Sequence, residues 1–390
     1  MDSHTMLKPT LMRTADSHQP VPTRERPPRG RMALSLQALA IASLAIGLVI
    51  CTAIQAAIAA EPSVAPGSAA PIPVKVLVIN MFGPEAQPWL KTLQPTLAVR
   101  VPGLATDYPS VQCTSGGICQ MTTGMGHANA AASMMAVLYS GLFDLHQSYF
   151  LIAGIAGIDP ARGTLGSAAW AHYVVDFGIA HEIDAREIPA GWNEGYFGIG
   201  TDSPGEMPKL EYQTEVFELN PALLRKALEL SASAQLEDTE DMRSYRQHYK
   251  NAPANQPPTV IQCDTSTADT WWTGSRLGTH ARSWTQLLTR GKGTYCTSQQ
   301  EDNATLEALT RAASSGLMDL QRVALLRTGS DFDRPYAHQS AMAALRSQRA
   351  LPNAFPVATR NLVHAGMPLV LDIVQRWDLW KTGVPVSAAQ

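Results

Sequence analysis

Short apolar runs alternate along the chain with segments whose apolar residues recur at helical spacing. Apolar, β-branched runs bounded by glycine or proline predict buried strands, which cover residues 74–79, 149–153, 164–177, 259–263 and 323–327. Helical spacing predicts helices over 126–142, 221–230, 303–314 and 366–380. The second of these helices has Asn220 as its N-cap and Pro221 at its first position.

This alternation is typical of an α/β domain with a mixed, mostly parallel central sheet flanked by helices. Two stretches interrupt it, because residues 178–215 and 235–257 are polar, rich in glycine and proline, or charged. We predict that both are loop insertions on a single domain that spans residues 74–390. The sequence has no internal repeat of the kind that repeat proteins show.

The first sixty residues differ in composition from the rest. Residues 1–31 form a polar arm with six basic side chains, whereas residues 32–60 contain no charged residue and end in small alanines. This order is typical of a secretory signal. The run is also long enough to span a bilayer, which takes about 20 residues, so a cleaved signal and an uncleaved anchor both stay open. In either case the positive-inside rule predicts export of the domain that follows a Pro/Ala/Ser linker at 61–73.

Composition excludes several classes of protein. Apolar residues make up 45% of the 390 positions and charged residues 16%, which is too apolar and too weakly charged for a disordered chain. The formal net charge of −3 shows no basic excess, so we expect no nucleic-acid partner. A single long apolar run excludes a polytopic membrane protein.

The chain beyond the apolar run contains four cysteines. They are Cys113, Cys119, Cys263 and Cys296, an even number that permits two disulfides in an oxidising compartment. Cys113 and Cys119 are close enough in sequence to close a hairpin-like loop, which leaves Cys263 to pair with Cys296. Four buried free thiols are the equal alternative. No CxxC or clustered Cys/His spacing indicates zinc, and we expect no metal or cofactor.

Four predicted strand ends carry unusual residues, and the strand ends of an open α/β sheet are where ligands bind. They are a turn with a carboxylate at 81–85, a glycine-rich turn at 151–157, a polar turn that opens a helix at 296–304, and an arginine–aspartate segment at 326–333. Each signal is weak alone, since a carboxylate at a strand end is usually just solvated and small-residue turns mostly serve close packing. Their order along the chain is more specific.

That order resembles the nucleoside phosphorylase and nucleosidase superfamily and, more closely, the purine nucleoside permease family. The resemblance covers about residues 72–385 and rests on five ordered motifs. The motifs are FGPE at 82–85, TGMGHANA at 123–130, AGIAGIDP at 153–160, QEDNAT at 300–305 and RTGSDFDRP at 327–335. The resemblance implies one phosphorylase-like α/β domain whose small-molecule partner is a purine nucleoside.

The resemblance also implies roles for individual residues. Glu85 matches the glutamate that activates water in hydrolytic members, and Asp331 matches the aspartate that protonates the purine at N7. Glu301 matches the glutamate that holds the ribose hydroxyls, with Asp302 and Asn303 as alternatives because the helix start allows a one-residue shift. The chemistry agrees, since a protonated carboxylic acid can donate to the leaving purine while a carboxylate orients and deprotonates water.

Further contacts with the base and the sugar follow from the same resemblance. Trp271 falls on the segment whose aromatic residue stacks on the base and is the first candidate, with Trp272 as the second. The Gly154 and Gly157 turn would lie under the sugar and the base. Ser330 belongs to the same motif as the acid and is a further candidate for substrate binding.

The chain departs from the phosphorylase members at the positions that bind phosphate. Those members carry an arginine and a serine around the glycine turn, where this chain has Ile152 and Ile155. Two isoleucine side chains cannot bind a dianion, although main-chain NH groups at the turn could. The departure argues for water as the acceptor, or for no catalysis. His127 and Asn129 are nearby polar candidates, and packing at a helix N-terminus is the favoured role of His127.

Three functions fit the sequence. The first is an exported purine nucleosidase, and the second is a binding protein that captures nucleosides for a separate carrier. A transport pathway needs several spanning segments and this chain offers at most one, so it is not a pore by itself. The pair Glu85 and Asp331 favours catalysis, because a pure binder needs neither acid. The third interpretation is an α/β domain whose site is degenerate, and phosphorolysis is a further alternative. Attachment to a membrane by a single helix and assembly into a homo-oligomer both stay open.

Overall fold

The computed structural model describes residues 70–385. The predicted N-terminal arm at 1–31, the signal or anchor at 32–60 and most of the linker lie outside these residues. Within residues 70–385, no helix is both long enough and apolar enough to cross a membrane.

The described chain alternates strands and helices. The strands, numbered β1 to β16 in chain order, are Ile72–Pro73, Val76–Asn80, Leu97–Arg100, Ser110–Cys113, Ile118–Thr122, Phe143–Asp144, Tyr149–Ile158, Ala168–Trp170, Tyr173–Asp176, His181–Glu182, Tyr196–Phe197, Val216–Glu218, Val260–Gln262, Asp264–Thr267, Tyr295–Gln299 and Val323–Phe332. The α-helices, numbered α1 to α9, are Gly83–Leu93, His127–Leu138, Pro221–Ser231, Glu240–Arg246, Ser275–Leu288, Asp302–Ser314, Ala341–Arg349, Ala354–Gln375 and Trp377–Trp380.

Twelve of these strands form one central sheet. Its main path runs β12-β9-β14-β15-β7-β2-β5-β4-β3, while β16 lies beside β7, and β8 and β13 follow beyond β16. Six of its eleven strand pairings are parallel, so the sheet is mixed with a slight excess of parallel pairs. Two small pairs stand apart from it, β1 with β6 and β10 with β11.

The sheet divides along strand β7. The first part of β7 pairs in parallel with β2 as far as Ile152, and its last part pairs antiparallel with β15 at Gly157 and Ile158. Strand β16 runs parallel to β7 over its whole length. Because β2 stops pairing before β15 begins, a gap opens beside residues 153–156.

Each face of the sheet buries its own apolar cluster. Successive side chains of a strand point to opposite faces, and in β2 the residues Leu77 and Ile79 join one cluster while Val76 and Val78 join the other. Helices α2 and α6 pack on the first cluster, and α1, α3 and α8 on the second. Strands covered on both faces are continuous apolar runs, which is why the sequence pattern predicts them.

Most predicted elements are present, with shifted ends. Asn220 caps α3 as predicted, since its side-chain oxygen accepts a hydrogen bond from the Ala222 amide at 2.9 Å. The predicted start of the last long helix is wrong, because α8 begins at Ala354 and continues through Pro368. The pattern missed α1, whose first turn contains Glu85. The predicted glycine-rich turn at 151–157 is wrong, because strand β7 continues through these residues to Ile158. The two predicted loop insertions contain the β10–β11 pair and helix α4.

Two disulfides join the four cysteines of the described chain. Cys113 and Cys119 face each other across the β4–β5 hairpin and are bonded. Cys263, which directly follows β13, is bonded to Cys296 in β15. The alternative of four free thiols is therefore wrong.

Candidate active site

A cavity of about 400 Å³ opens at the gap beside β7. Its walls come from the carboxyl ends of β7, β15 and β16, the start of α1, the loop at 270–272, and residues of α7 and α8. Carboxyl ends of strands are where α/β folds hold their ligands. The charged and indole side chains in the lining are Glu85, Glu301, Arg327, Asp331, Arg349, Trp271 and Trp272.

Glu85 is fixed in the wall by two main-chain donors, one directly after β2 and one in β7. It is 1% exposed, and its carboxylate accepts hydrogen bonds from the Met81 amide at 2.8 Å and the Ile155 amide at 2.7 Å. Burial raises the pKa of Glu85 to about 7, against the opposing effect of the nearby Arg327 guanidinium. A carboxyl group with that pKa exchanges a proton readily near neutral pH, as a general base must.

Arg327 is a buried guanidinium in β16 that donates hydrogen bonds to acceptors in β7 and at the start of α6. It contacts both oxygens of Asp302, at 3.1 and 2.5 Å, and donates to the Ile155 carbonyl at 2.9 Å. Glu301 is 3.4 Å away on the same side. With Glu85, three carboxyl groups surround one cation, and their net charge together with Arg327 is negative when all three are ionised.

Gly154 makes this arrangement possible. A Cβ atom at this position would lie 2.4 Å from Arg327 Nη1, 2.9 Å from Glu85 Oε1 and 2.9 Å from Met81 Sδ. All three distances are shorter than real Cβ contacts, so any side chain would separate the glutamate from the arginine. Gly157 is similarly close to Ser298 Oγ, at 2.9 Å from a built Cβ.

A β-bulge in β16 sets the position of Asp331. Gly329 pairs with Ala156 and Asp331 with Gly157, so Ser330 is an extra residue in the ladder. Bulges of this kind redirect side chains next to active sites. Ser330 Oγ donates to Asp331 Oδ1 at 2.8 Å, and burial raises the pKa of Asp331 to about 6. The side chain lies in the cavity wall as a carboxylic acid that titrates close to neutral pH.

Glu301 enters the cavity at the N-terminal end of α6. One of its oxygens accepts from the Gly126 amide at 3.1 Å, which joins the start of α2 to the start of α6. The residue is 4% exposed. Its carboxylate oxygens are acceptors in the cavity lining, and such acceptors can bind hydroxyl groups.

The two alternatives to Glu301 lie outside the cavity lining. Asp302 is fully buried and is committed to Arg327. The side chain of Asn303 accepts from Thr267 Oγ1 at 2.6 Å and donates to the Thr214 carbonyl at 2.6 Å. Glu301, the N-cap residue of α6, and the first two residues of that helix therefore have different surroundings.

The two tryptophans differ in exposure. Trp271 is 58% exposed at the rim of the cavity, where the Arg349 guanidinium lies 5.5 Å from the centre of its ring. Trp272 is 6% exposed and stacks on Phe177 behind the wall, with ring centres 5.2 Å apart. Trp271 presents the larger free indole surface to a ligand, while Trp272 joins the cavity to an aromatic cluster.

The polar candidates at the start of α2 lie outside the lining. The His127 amide donates to Asp269 Oδ1 at 2.7 Å, and Asn129 Nδ2 donates to the Met125 carbonyl at 2.8 Å. Among residues 70–385, no group of three His, Cys, Asp or Glu side chains is arranged to hold a metal ion.

Sequence reasoning missed part of the lining. Arg327 belongs to one of the five motifs, but the resemblance gives it no role. The sequence feature that could have indicated its importance is a charged residue at the end of an apolar strand, because such a residue needs a buried partner. The apolar lining was also missed, because it comes from elements far apart in sequence. Its members are Met81, Phe82, Met125, Leu345, Leu351 and Phe355.

Fold and cavity together describe an α/β protein with a cavity at strand ends that is lined by acidic and aromatic residues. The family model described as "Purine nucleoside permease (NUP)" matches residues 73–385, and the chain belongs to this family. It is 42% identical over 320 residues to a "Probable purine nucleoside permease" of Schizosaccharomyces pombe, which covers 78% of this chain and 90% of the relative. A "Purine nucleoside permease" of Candida albicans is 39% identical over 320 residues, covering 80% of this chain and 78% of the relative.

Solved structures resemble the chain only distantly. A 5'-methylthioadenosine/S-adenosylhomocysteine nucleosidase of Neisseria meningitidis has a TM-score of 0.46 at 14% identity, covering 76% of this chain and 98% of that one. Futalosine hydrolase of Helicobacter pylori has a TM-score of 0.47 at 12% identity, covering 76% of this chain and 97% of that one.

Replacing Gly154 with alanine tests the packing around Arg327. The added methyl group meets Arg327 and Glu85 at distances below van der Waals contact, so we expect Gly154→Ala to lower the free energy of unfolding by about 1–3 kcal/mol. Denaturant unfolding of the full-length chain measures the change. Gly116→Ala is the matched control, because its nearest neighbour would be Thr114 Oγ1 at 3.7 Å. Equal stability of the Gly154 variant and the wild type would contradict the packing argument.

Proposed function

We propose that the chain is an exported purine nucleosidase that cleaves the N-glycosidic bond with water. The observation that carries the proposal is the pair Glu85 and Asp331, two carboxyl groups with raised pKa values in the lining of one cavity. Buried carboxyl groups with shifted pKa values are typical of acid–base catalysis. Glu301 in the same lining supplies a hydroxyl acceptor.

Each carboxyl group has a defined part in this reaction. The water oxygen bonds to the anomeric carbon of ribose as the bond to purine N9 breaks, and Glu85 accepts the proton that the water loses. Asp331 donates its proton to N7 of the leaving purine, which therefore departs as a neutral base. Glu301 accepts hydrogen bonds from the ribose hydroxyls and orients the sugar. The products are ribose and a free purine.

Water is favoured over phosphate by the charges around Arg327. The guanidinium donates to Asp302 and to the Ile155 carbonyl, so it has little capacity left for an anion. The Ile155 amide, which could have bound phosphate, donates to Glu85. A phosphate dianion here would also be repelled by ionised Glu85 and Glu301.

Nucleoside capture without catalysis is the second candidate function. It is favoured by the name "permease" that the Schizosaccharomyces pombe and Candida albicans relatives carry. The chain would then bind a nucleoside in the same cavity and deliver it to a separate carrier. Export agrees with the two disulfides, since such bonds persist in oxidising compartments.

Asp331→Asn tests the hydrolytic mechanism. An amide cannot protonate the purine, so turnover of inosine or adenosine should fall by about 10²–10⁴-fold while nucleoside binding largely survives. Chromatography of the full-length chain with nucleoside, with and without phosphate, measures the products. We expect free ribose in both cases.

Asp107→Asn, at an exposed position away from the cavity, is the control and should leave turnover unchanged. Formation of ribose 1-phosphate in the presence of phosphate would contradict hydrolysis and support phosphorolysis. Tight binding by the wild type with neither product would favour the capture function instead.

The turnover rate should depend on pH as a bell. Glu85 acts as the base only when ionised and Asp331 acts as the acid only when protonated, yet the pKa of the base, about 7, lies above that of the acid, about 6. Only a minor fraction of the chain has both groups in these states at any pH, and this fraction decreases below about pH 6 and above about pH 7, so turnover should fall on both sides. The maximum should lie between these two values. Steady-state rates over the pH range measure it, and a rate that increases steadily to alkaline pH would exclude Asp331 as the acid.

Trp271→Ala tests purines as ligands. Loss of an indole that stacks on the base should weaken nucleoside binding by about 1–3 kcal/mol, the range seen for base–aromatic stacking in proteins that bind single strands. Titration calorimetry measures the affinity, and Trp271→Phe should retain part of it. Trp377→Ala removes an indole outside the cavity lining and should have no effect. Unchanged affinity in both Trp271→Ala and Trp272→Ala would remove base stacking from the proposal.

A further inference from the structure

The segment that carries Asp331 lies where strand β16 loses a neighbour. Strand β8 pairs with β16 from Leu326 to Thr328, and its last contacts are hydrogen bonds between the loop before β8 and Gly329. Beyond Gly329 this edge of β16 has no strand beside it among the described residues. On the opposite edge the ladder with β7 continues, and the Asp333 amide donates to the Ile158 carbonyl at 3.0 Å.

Gln348 takes the place of the missing strand. Its side-chain oxygen accepts a hydrogen bond from the Phe332 amide, and its Nε2 donates to the Phe332 carbonyl at 3.1 Å. A primary amide that contacts both groups of one residue reproduces the pairing of a neighbouring peptide. Phe332 is fully buried, so without Gln348 both main-chain groups would lack partners in a dry environment.

The two hydrogen bonds from Gln348 to Phe332, called the bridge below, constrain the residue next to the proposed acid. Asp331 lies between the bulge at Ser330 and the bridged Phe332, and a bulge alone leaves the strand less constrained than a regular ladder. Gln348 is 8% exposed and belongs to α7, which covers one side of the cavity. Both polar atoms of its side chain contact Phe332, so the orientation of the amide is fixed by the main chain of β16.

We propose that Gln348 is a positioning residue, whose hydrogen bonds to the Phe332 main chain hold Asp331 in the orientation needed to protonate the leaving purine. The inference rests on the proposed nucleosidase function and adds to it. Helix α7 then has two roles, because it forms a wall of the cavity and also supplies the residue that positions the acid. Proton transfer requires the donor within hydrogen-bond reach, so a small displacement of Asp331 should affect that step first.

A comparison of two leaving groups tests this role. Inosine needs protonation of its base, whereas p-nitrophenyl β-D-ribofuranoside releases a stable phenolate without an acid. Gln348→Met keeps the length of the side chain and removes both hydrogen bonds. In the full-length chain we expect it to lower kcat/KM for inosine by about tenfold or more, and kcat/KM for the p-nitrophenyl riboside by less than about threefold. Asp331→Asn should show the same selectivity to a greater degree.

Gln339→Met is the matched control. Gln339 donates to Ser347 Oγ on the same helix at 3.0 Å and does not contact Phe332. We expect Gln339→Met to change kcat/KM for both substrates by the same factor or to leave both unchanged. The comparison therefore separates a general loosening of α7 from loss of the hydrogen bonds between Gln348 and Phe332. If Gln348→Met fails to fold, Gln348→Glu keeps an acceptor for the Phe332 amide and is read by the same ratio.

The outcomes distinguish this proposal from the function on which it rests. Equal losses on both substrates in the Gln348 variant, or no loss on inosine, would overturn the positioning role while leaving the nucleosidase function intact. A wild-type chain that cleaves neither substrate would overturn the nucleosidase function, and the positioning role with it.

Discussion

The buried guanidinium of Arg327 is the group around which the candidate site is organised. A cation in the interior needs acceptors and opposite charge at close range, and here Asp302, Glu301 and the Ile155 carbonyl supply them. Removing one partner from a buried ion pair typically costs about 3–5 kcal/mol, because the other charge is left uncompensated. One electrostatic requirement thus joins the start of α6, which carries the two acids, to strand β7 near Gly154 and to strand β16.

The same requirement shapes the chemistry of the cavity. Arg327 is surrounded by more carboxyl groups than it can neutralise, so the wall favours positive charge on a ligand and disfavours anions. Cleavage of a nucleoside produces positive charge on the ribose in the transition state, as in glycoside hydrolysis. A wall that stabilises this charge and repels phosphate suits attack by water. Glu85, with its pKa raised by burial, is the member of the group that can exchange a proton with the water.

Sequence reasoning found the elements whose cause is local. Strands buried on both faces are apolar runs, and the cap at Asn220 is a short-range signal, so both were predictable. The partners of Arg327 were not, since Asp302 and Ile155 precede it by 25 and 172 positions and only the sheet order brings them together. For the same reason the pattern did not distinguish the exposed Trp271 from the buried Trp272, as the wall behind Trp272 comes from remote strands.

Burying carboxyl groups lowers the stability of a protein, so their presence in this cavity bears on its function. A protein that only captures a nucleoside can contact the base and the ribose with neutral donors and acceptors, which are less costly to bury than carboxyl groups. This chain buries Glu85 fully, partly buries Asp331, and raises the pKa of both toward neutrality. It also interrupts β16 with a bulge and completes the open edge with the Gln348 side chain. Departures from regular structure that leave two proton-exchanging groups in one cavity are expected where catalysis offsets their cost in stability. On this reasoning the hydrolytic function accounts for more of the structure than capture alone.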